Sequence, residues 1–181
     1  MIDPKTIGEV IYTREDIKKR VEELGKQISE EYAGKEIILV CILKGSFAFT
    51  ADLAREIDIP CSIEFMQVSS YSNGTTTSGS LKIIKDINVP VDGKHLLIIE
   101  DIIDTGITLN NLKKMFDTRN PASVKLCAFL DKPSRRQAPI EADYVGFAVE
   151  DNFLVGYGLD YAQHFRNLPY VAILKEEYYK N

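Results

Sequence analysis

Long apolar runs are missing from this chain of 181 residues. The longest, Ile37 to Leu43, falls far short of the roughly 20 residues that a membrane-spanning helix needs, so no bilayer crossing is expected. The opening MIDPKTIGEV lacks a basic flank followed by an apolar core, and without a secretory signal the expected compartment is the cytoplasm. Cysteine is scarce: three residues, no two of them close enough to suggest a metal knuckle or a redox pair. Cys41 and Cys127 sit inside apolar runs and Cys61 opens an alternating one, so all three read as small buried hydrophobes. Positive charge is also short, with 22 Lys+Arg against 27 Asp+Glu, a net charge of −5 and a pI near 5.2. That balance speaks against a nucleic-acid coat and leaves room for a local basic pocket that takes a small phosphorylated ligand. No repeat and no second domain is visible; with 45% apolar and 27% charged residues, positions 1–181 read as one ordinary globular domain.

What is present alternates between two periods. Arg14 to Tyr32 places Ile17, Val21, Leu24 and Ile28 on one helical stripe. The run IILVCIL at 37–43 reads as a strand buried on both faces, broken at Lys44-Gly45-Ser46, with a helix over Phe47 to Ile57. Cys61, Ile63, Phe65 and, after a slip at Met66, Val68 suggest a strand near a sheet edge. Residues 69–80, nearly all Ser, Thr, Asn or Gly, can bury almost nothing and are expected to be mobile. Leu81 to Ile87 is again strand-like. HLLII (95–99) and SVKLCAFL (123–130) are two more buried strands, separated by a helix over Thr108 to Asp117 with Leu109, Leu112, Met115 and Phe116 on one face. Short strands follow near 143–149, 153–157 and 170–174. The alternation predicts an α/β fold around a mostly parallel sheet flanked by helices.

Ligands of such sheets bind beyond the carboxyl ends of the strands. After HLLII comes Glu100-Asp101-Ile102-Ile103-Asp104-Thr105-Gly106-Ile107-Thr108. Gly106 can take a positive φ, the N–H groups of Thr105 to Thr108 can converge, and the helix start adds positive potential, which together make a phosphate cradle. The string fits neither a P-loop nor G-x-G-x-x-G. Carboxylates beside a phosphate need a reason, and a sugar diol accepted by Glu100 and Asp101, or Mg²⁺ between them, supplies one. The plain alternative is an acidic helix start stabilised by the dipole.

IIEDIIDTGITL resembles the phosphoribosyl-diphosphate signature of the type I phosphoribosyltransferases. LKGSF (43–47), SSY (69–71), DKPSRR (131–136) and DNFLVGYGLDYAQHFRNLPY (151–170) are similar to the hypoxanthine-guanine branch, over about Arg14 to Leu174. The resemblance implies the type I phosphoribosyltransferase fold, with a small hood made by the N-terminal segment and residues 150–181 and a lid over 69–80 carrying Ser70 and Tyr71. It implies a Mg²⁺-dependent purine-salvage enzyme that joins 5-phospho-α-D-ribose 1-diphosphate to hypoxanthine or guanine, working as a homodimer or homotetramer without nucleic-acid or membrane partners.

The implied roles fall on named positions. Glu100 and Asp101 would hold the ribose hydroxyls, directly or through Mg²⁺, and Asp104, Thr105, Gly106, Ile107 and Thr108 the 5-phosphate. Leu43, Lys44 and Gly45 would form the pyrophosphate loop, in which the family carries a cis peptide between the first two. Asp104 would take a purine proton as general base. Lys132 would donate to the 6-oxo group, Phe153 stack on the base and Leu154 meet its edge through backbone groups. Asp160 would hold a second Mg²⁺ and Arg166 the leaving pyrophosphate. Ile107 stands where the family often has Lys, a change that matters little if backbone N–H groups hold the phosphate.

Taken singly these residues have plainer readings: Lys44 as a solvated strand-end lysine, Lys132, Arg135 and Arg136 as a charged loop, Phe153 as core, Asp160 and Arg166 as a pair across a turn. His95 and His164 carry no assignment. A regulatory protein of the same fold that senses the ribosyl donor would share the cradle but should add a basic extension. A Mg²⁺-dependent receiver module would leave DKPSRR and 151–170 unexplained.

Overall fold

The computed structural model describes residues 6–70 and 81–179. In chain order the elements are β1 (Ile7–Tyr12), α1 (Arg14–Glu31), β2 (Ile37–Leu43), α2 (Phe47–Arg55), β3 (Cys61–Ser70), β4 (Leu81–Lys85), β5 (His95–Ile103), α3 (Ile107–Asp117), β6 (Ser123–Asp131), β7 (Tyr144–Ala148), β8 (Leu154–Val155) and β9 (Val171–Leu174). Two sheets form among the described residues, one of six strands in the order β4-β3-β2-β5-β6-β7 and one of three in the order β1-β9-β8. All pairings in the larger sheet are parallel except β3 with β4. The three apolar runs therefore lie where their composition requires, as the central strands β2, β5 and β6 with helices on both faces.

One face carries α1 and α2. The stripe Ile17, Val21, Leu24 and Ile28 is buried there with Leu39, Leu97 and Phe129, each fully buried side chain contributing roughly 1.5–3 kcal/mol. The other face carries α3, whose Leu109, Leu112 and Phe116 pack with Val40, Ile98 and Leu126. α1 opens with a reciprocal cap: Thr13 Oγ1 accepts from the Asp16 N–H (3.2 Å) while the Thr13 N–H donates to Asp16 Oδ2 (2.9 Å). The Thr13 hydroxyl, which donates to Asp16 Oδ2 (2.6 Å), and then the Thr13 N–H hold the Asp16 carboxyl below the ordinary range. The reciprocal pair is thus intact above the unfolded carboxylate pKa and is lost as pH falls through the lower folded value. Thr13→Ala should cost about 1 kcal/mol and lower the midpoint of a thermal melt by about 2–4 °C.

The structure corrects the sequence reading in three places. β5 does not stop at Ile99 but runs to Ile103, paired with β6 as far as Asp131, so Glu100 and Asp101 stand on a strand rather than after one. β1 was not expected: IGEVIY gains its strand form by pairing with β9 from the other end of the chain, a partner no local pattern announces. In β3, Ile63 and Phe65 are exposed and Met66 is fully buried, the reverse of the alternation read for the strand, because α2 packs chiefly on β2 and β5 and leaves that side of β3 open. The cysteines are free, Cys41 and Cys127 buried and Cys61 half-buried. Among the described residues no helix is long and apolar enough to cross a membrane.

Candidate functional site

The carboxyl ends of β2, β5 and β6 meet at two adjoining cavities of about 460 and 580 Å³, which share Asp101, Ile102, Asp104 and Asp160. Because β5 extends past its apolar run, it delivers Glu100 and Asp101 to the mouth between them. Asp101 Oδ1 accepts from the Ile102 N–H (2.8 Å) and Glu100 Oε1 lies 3.3 Å from the Asp101 N–H. Burial, and then the Asp101 carboxylate beside it, hold the Glu100 carboxyl well above the ordinary carboxylate range.

The turn after β5 has the form its composition suggests. Gly106 adopts φ +75° and caps α3, and Thr105, Gly106, Thr108 and Leu109 line the smaller cavity at that helix start. The loop after β6 clamps this turn from behind. The Gln137 and Ala138 N–H groups donate to the Thr105 carbonyl at 3.0 and 3.1 Å, and Arg136 donates to the Asp104 carbonyl (2.8 Å) while pairing with Asp131. Ile107 turns its side chain into the core beside α3, leaving only its backbone to the turn.

Across the cavity the Leu43-Lys44 peptide is cis, as the family resemblance implies. A Cβ on Gly45 would overlap Asp101 Oδ2, closer than the 3.0 Å that real Cβ atoms keep, so the carboxylate lies directly against this glycine. Gly158, at φ +101°, covers the Gly45 carbonyl equally closely. The segment that carries it is conformationally costly: Tyr157, Ala162, Gln163 and Phe165 all have positive φ, each worth of order 1–3 kcal/mol. Within it Arg166 pairs with Asp160 (2.7 Å) and donates to the Gly158 carbonyl (2.7 Å), and Lys44 reaches over to Gln163 Oε1 (3.1 Å).

The larger cavity is floored by Lys132, which is 8% exposed and donates to the Asn152 carbonyl (2.6 Å). Phe153 lines it, with Tyr179 stacked on the ring at 4.7 Å and Tyr161 edge-on at 5.6 Å; Leu154 is buried on β8. Lys132, Arg135, Asp104 and Asp151 also face this space.

This pairing of a glycine-capped helix start with an aromatic, cation-bearing cavity has close relatives. Residues 9–162 match the phosphoribosyl transferase domain family. The chain is 49% identical over 175 residues to hypoxanthine-guanine phosphoribosyltransferases of Streptococcus thermophilus and of Bacillus subtilis, covering 97% of each chain in both comparisons. A crystal structure of a hypoxanthine phosphoribosyltransferase from Staphylococcus aureus superposes with a TM-score of 0.95 at 47% identity, over 98% of this chain and 96% of that one. The chain belongs to the hypoxanthine-guanine phosphoribosyltransferase family.

In this phosphoribosyltransferase the residues expected from sequence converge: Leu43, Lys44, Gly45, Glu100, Thr105, Gly106, Thr108 and Arg166 line one cavity, Lys132, Phe153 and Leu154 the other, and Asp101, Asp104 and Asp160 both. Ile107 faces neither. Ser70 ends β3, while Tyr71 and the rest of the expected lid lie outside the described residues. His95 meets Ser123 Oγ (2.8 Å) at the opposite end of the sheet, and His164 is exposed. Sequence reasoning missed Asp131, Asp151, Gln163 and Tyr179 and left Arg136 as part of a charged loop. Asp131, Asp151 and Gln163 lie inside the motifs that carry the resemblance but were given no role of their own, and Tyr179 had only the aromatic pair Tyr178-Tyr179 as a local signal.

The side chains are also a test of whether a metal fits. Among the described residues no three Asp, Glu, His or Cys side chains form a cage. Glu100 and Asp101 stand together on β5, and Asp160 faces them from the other wall in its pair with Arg166. Such a set suits Mg²⁺, which is commonly held by one or two carboxylates with substrate oxygens completing its shell.

Proposed function

We propose that this phosphoribosyltransferase transfers the 5-phosphoribosyl group of 5-phospho-α-D-ribose 1-diphosphate to N9 of hypoxanthine or guanine, forming IMP or GMP and releasing pyrophosphate in purine salvage. The observation that carries this reading is the junction of the two cavities at Asp101, Ile102, Asp104 and Asp160. That junction supports the reading because a sugar held there would have the turn at Gly106 on one side for its phosphate and the aromatic cavity on the other for a planar, oxo-bearing base.

The 5-phosphate is held by the N–H groups of the Thr105–Thr108 turn, and the ribose diol lies toward Glu100 and Asp101. Glu100 and Asp101 on the sugar side and Asp160 on the pyrophosphate side would hold Mg²⁺, which would supply charge neutralisation at the leaving oxygens. As the C1–O bond breaks and N9 bonds to C1, negative charge gathers on pyrophosphate, where Lys44 and Arg166 offset it. Asp104 receives the purine proton, and Lys132 donates to the 6-oxo group, which favours the required tautomer. Phe153 stacks on the base through the face that Tyr179 leaves, and Leu154 meets its edge. We assign the enzyme to the cytoplasm and expect a homodimer or homotetramer, which sedimentation velocity distinguishes.

Steady-state rates with hypoxanthine, guanine, xanthine and adenine in one Mg²⁺ buffer test the reading. Turnover of the first two and rejection of adenine are expected; rapid adenine turnover overturns the 6-oxopurine assignment. Lys132→Ala should raise the KM for hypoxanthine by about 10- to 100-fold, the worth of a hydrogen bond to a charged donor. Its KM for the ribosyl donor should stay within about twofold, since Lys132 lines only the purine cavity.

A further inference from the structure

The purine cavity contains a run of four charges that alternates in sign. Arg135 Nε lies 2.6 Å from Asp104 Oδ1, Arg135 Nη1 lies 3.3 Å from Asp151 Oδ2, and Asp151 Oδ1 lies 3.5 Å from Lys132 Nζ. The ends are the proposed proton acceptor and the proposed donor to the 6-oxo group. The middle members belong to neither role: Arg135 sits on the short turn Pro133–Arg135 after Lys132, and Asp151 on the segment before β8. Both middle side chains are about half exposed, at 45% and 51%, so the core does not depend on them.

The sharing has a physical consequence. Arg135 divides its charge between Asp104 and Asp151, and Asp151 divides its charge between Arg135 and Lys132. Each end meets a charged partner that is itself half engaged elsewhere, Lys132 donating besides to the Asn152 carbonyl (2.6 Å), and each must be free of that partner when the purine arrives: Asp104 to take a proton, Lys132 to donate to the oxo group. Deleting one middle member leaves the other fully committed to its remaining partner. Without Asp151 the guanidinium grips only Asp104; without Arg135 the Asp151 carboxylate grips only Lys132.

We infer that Arg135 and Asp151 are a pair of positioning residues that balance each other, each keeping the other from gripping the base or the purine donor too tightly, so that both ends stay releasable. The inference rests on the transferase reading of this same site. It carries an unusual signature: the two single losses hurt different parameters and the double loss repairs them.

Arg135→Gln should raise the KM for hypoxanthine by about fivefold with kcat little changed, and Asp151→Asn should lower kcat by about fivefold with a smaller change in that KM, the scale of one partly exposed ion pair. The double variant should recover most of both parameters. Arg135→Lys, which keeps the charge, should regain most of the KM lost in Arg135→Gln. Thermal melts of all four variants are run beside the kinetics, and midpoints close to that of the parent protein show that the changes are not losses of fold. A double variant slower than either single one, or singles that leave both parameters unmoved, overturns the balance while wild-type turnover of hypoxanthine leaves the transferase reading standing. If the wild-type chain itself fails to turn over hypoxanthine, both fall.

Discussion

Asp104→Asn is expected to lower turnover by about 10²- to 10⁴-fold, the usual worth of a general base, while the KM for the ribosyl donor changes less than about twofold. The side chain is isosteric, so the cavity keeps its shape, and an amide oxygen still accepts a hydrogen bond but takes no proton at neutral pH. The backbone is fixed independently of the carboxylate, by the Arg136 hydrogen bond to the Asp104 carbonyl and by the clamp on Thr105. The phosphate turn therefore stays in place when the side chain changes. Other carboxylates at the junction are committed: Asp101 accepts from the Ile102 N–H and lies against Gly45, and Asp160 pairs with Arg166. Among the described residues the Asp104 carboxylate pairs with the shared guanidinium of Arg135. Steady-state and single-turnover rates with hypoxanthine check the outcome, and an Asn variant that retains turnover within about a factor of two places the base elsewhere.

What could be foreseen in this chain follows the range of the signal. The buried strands β2, β5 and β6 and the stripes of α1 and α3 are local patterns with a fixed period, and the helix-opening turn at Gly106 is a local string; each appears where it was read. Polar residues at a strand end break the pattern before the hydrogen bonds stop, which is why β5 looked four residues shorter than it is. β1 escaped because its strand form depends on β9. The supporting residues escaped for the same reason. Arg136 acts on Asp104, Gln163 on Lys44 and Tyr179 on Phe153, and none of these partners is adjacent in sequence. The motif residues are those proposed to meet substrate; the residues that fix them come from whichever loops the fold brings alongside, and composition does not report that meeting.

The contact between Gly45 and Asp101 is of that second kind, and it gives the other large expected effect. Gly45→Ala should reduce kcat/KM for the ribosyl donor by at least about 100-fold, because a displacement of about 1 Å in a positioned group is enough for such a loss. The new methyl group would occupy the space of the Asp101 carboxylate. The loop cannot back away, since Gly158 lies on the Gly45 carbonyl and is itself held by the hydrogen bond between its N–H and the Arg166 carbonyl (3.0 Å). Asp101 must move instead, and with it the carboxylate proposed to meet the diol. The accompanying loss of stability should be that of an overpacked site, about 1–3 kcal/mol, small enough for the protein to stay folded at assay temperature. Gly34→Ala separates the two effects: Gly34 has φ +75° with open space around it, so alanine there adds backbone strain of about 1–2 kcal/mol without touching the cleft. Both variants should melt earlier than the parent, and only Gly45→Ala should lose the donor. A Gly45→Ala enzyme whose donor KM and kcat both stay within about threefold of the parent would mean that Asp101 works equally well displaced, and the close packing against Gly45 would then have no part in holding the sugar.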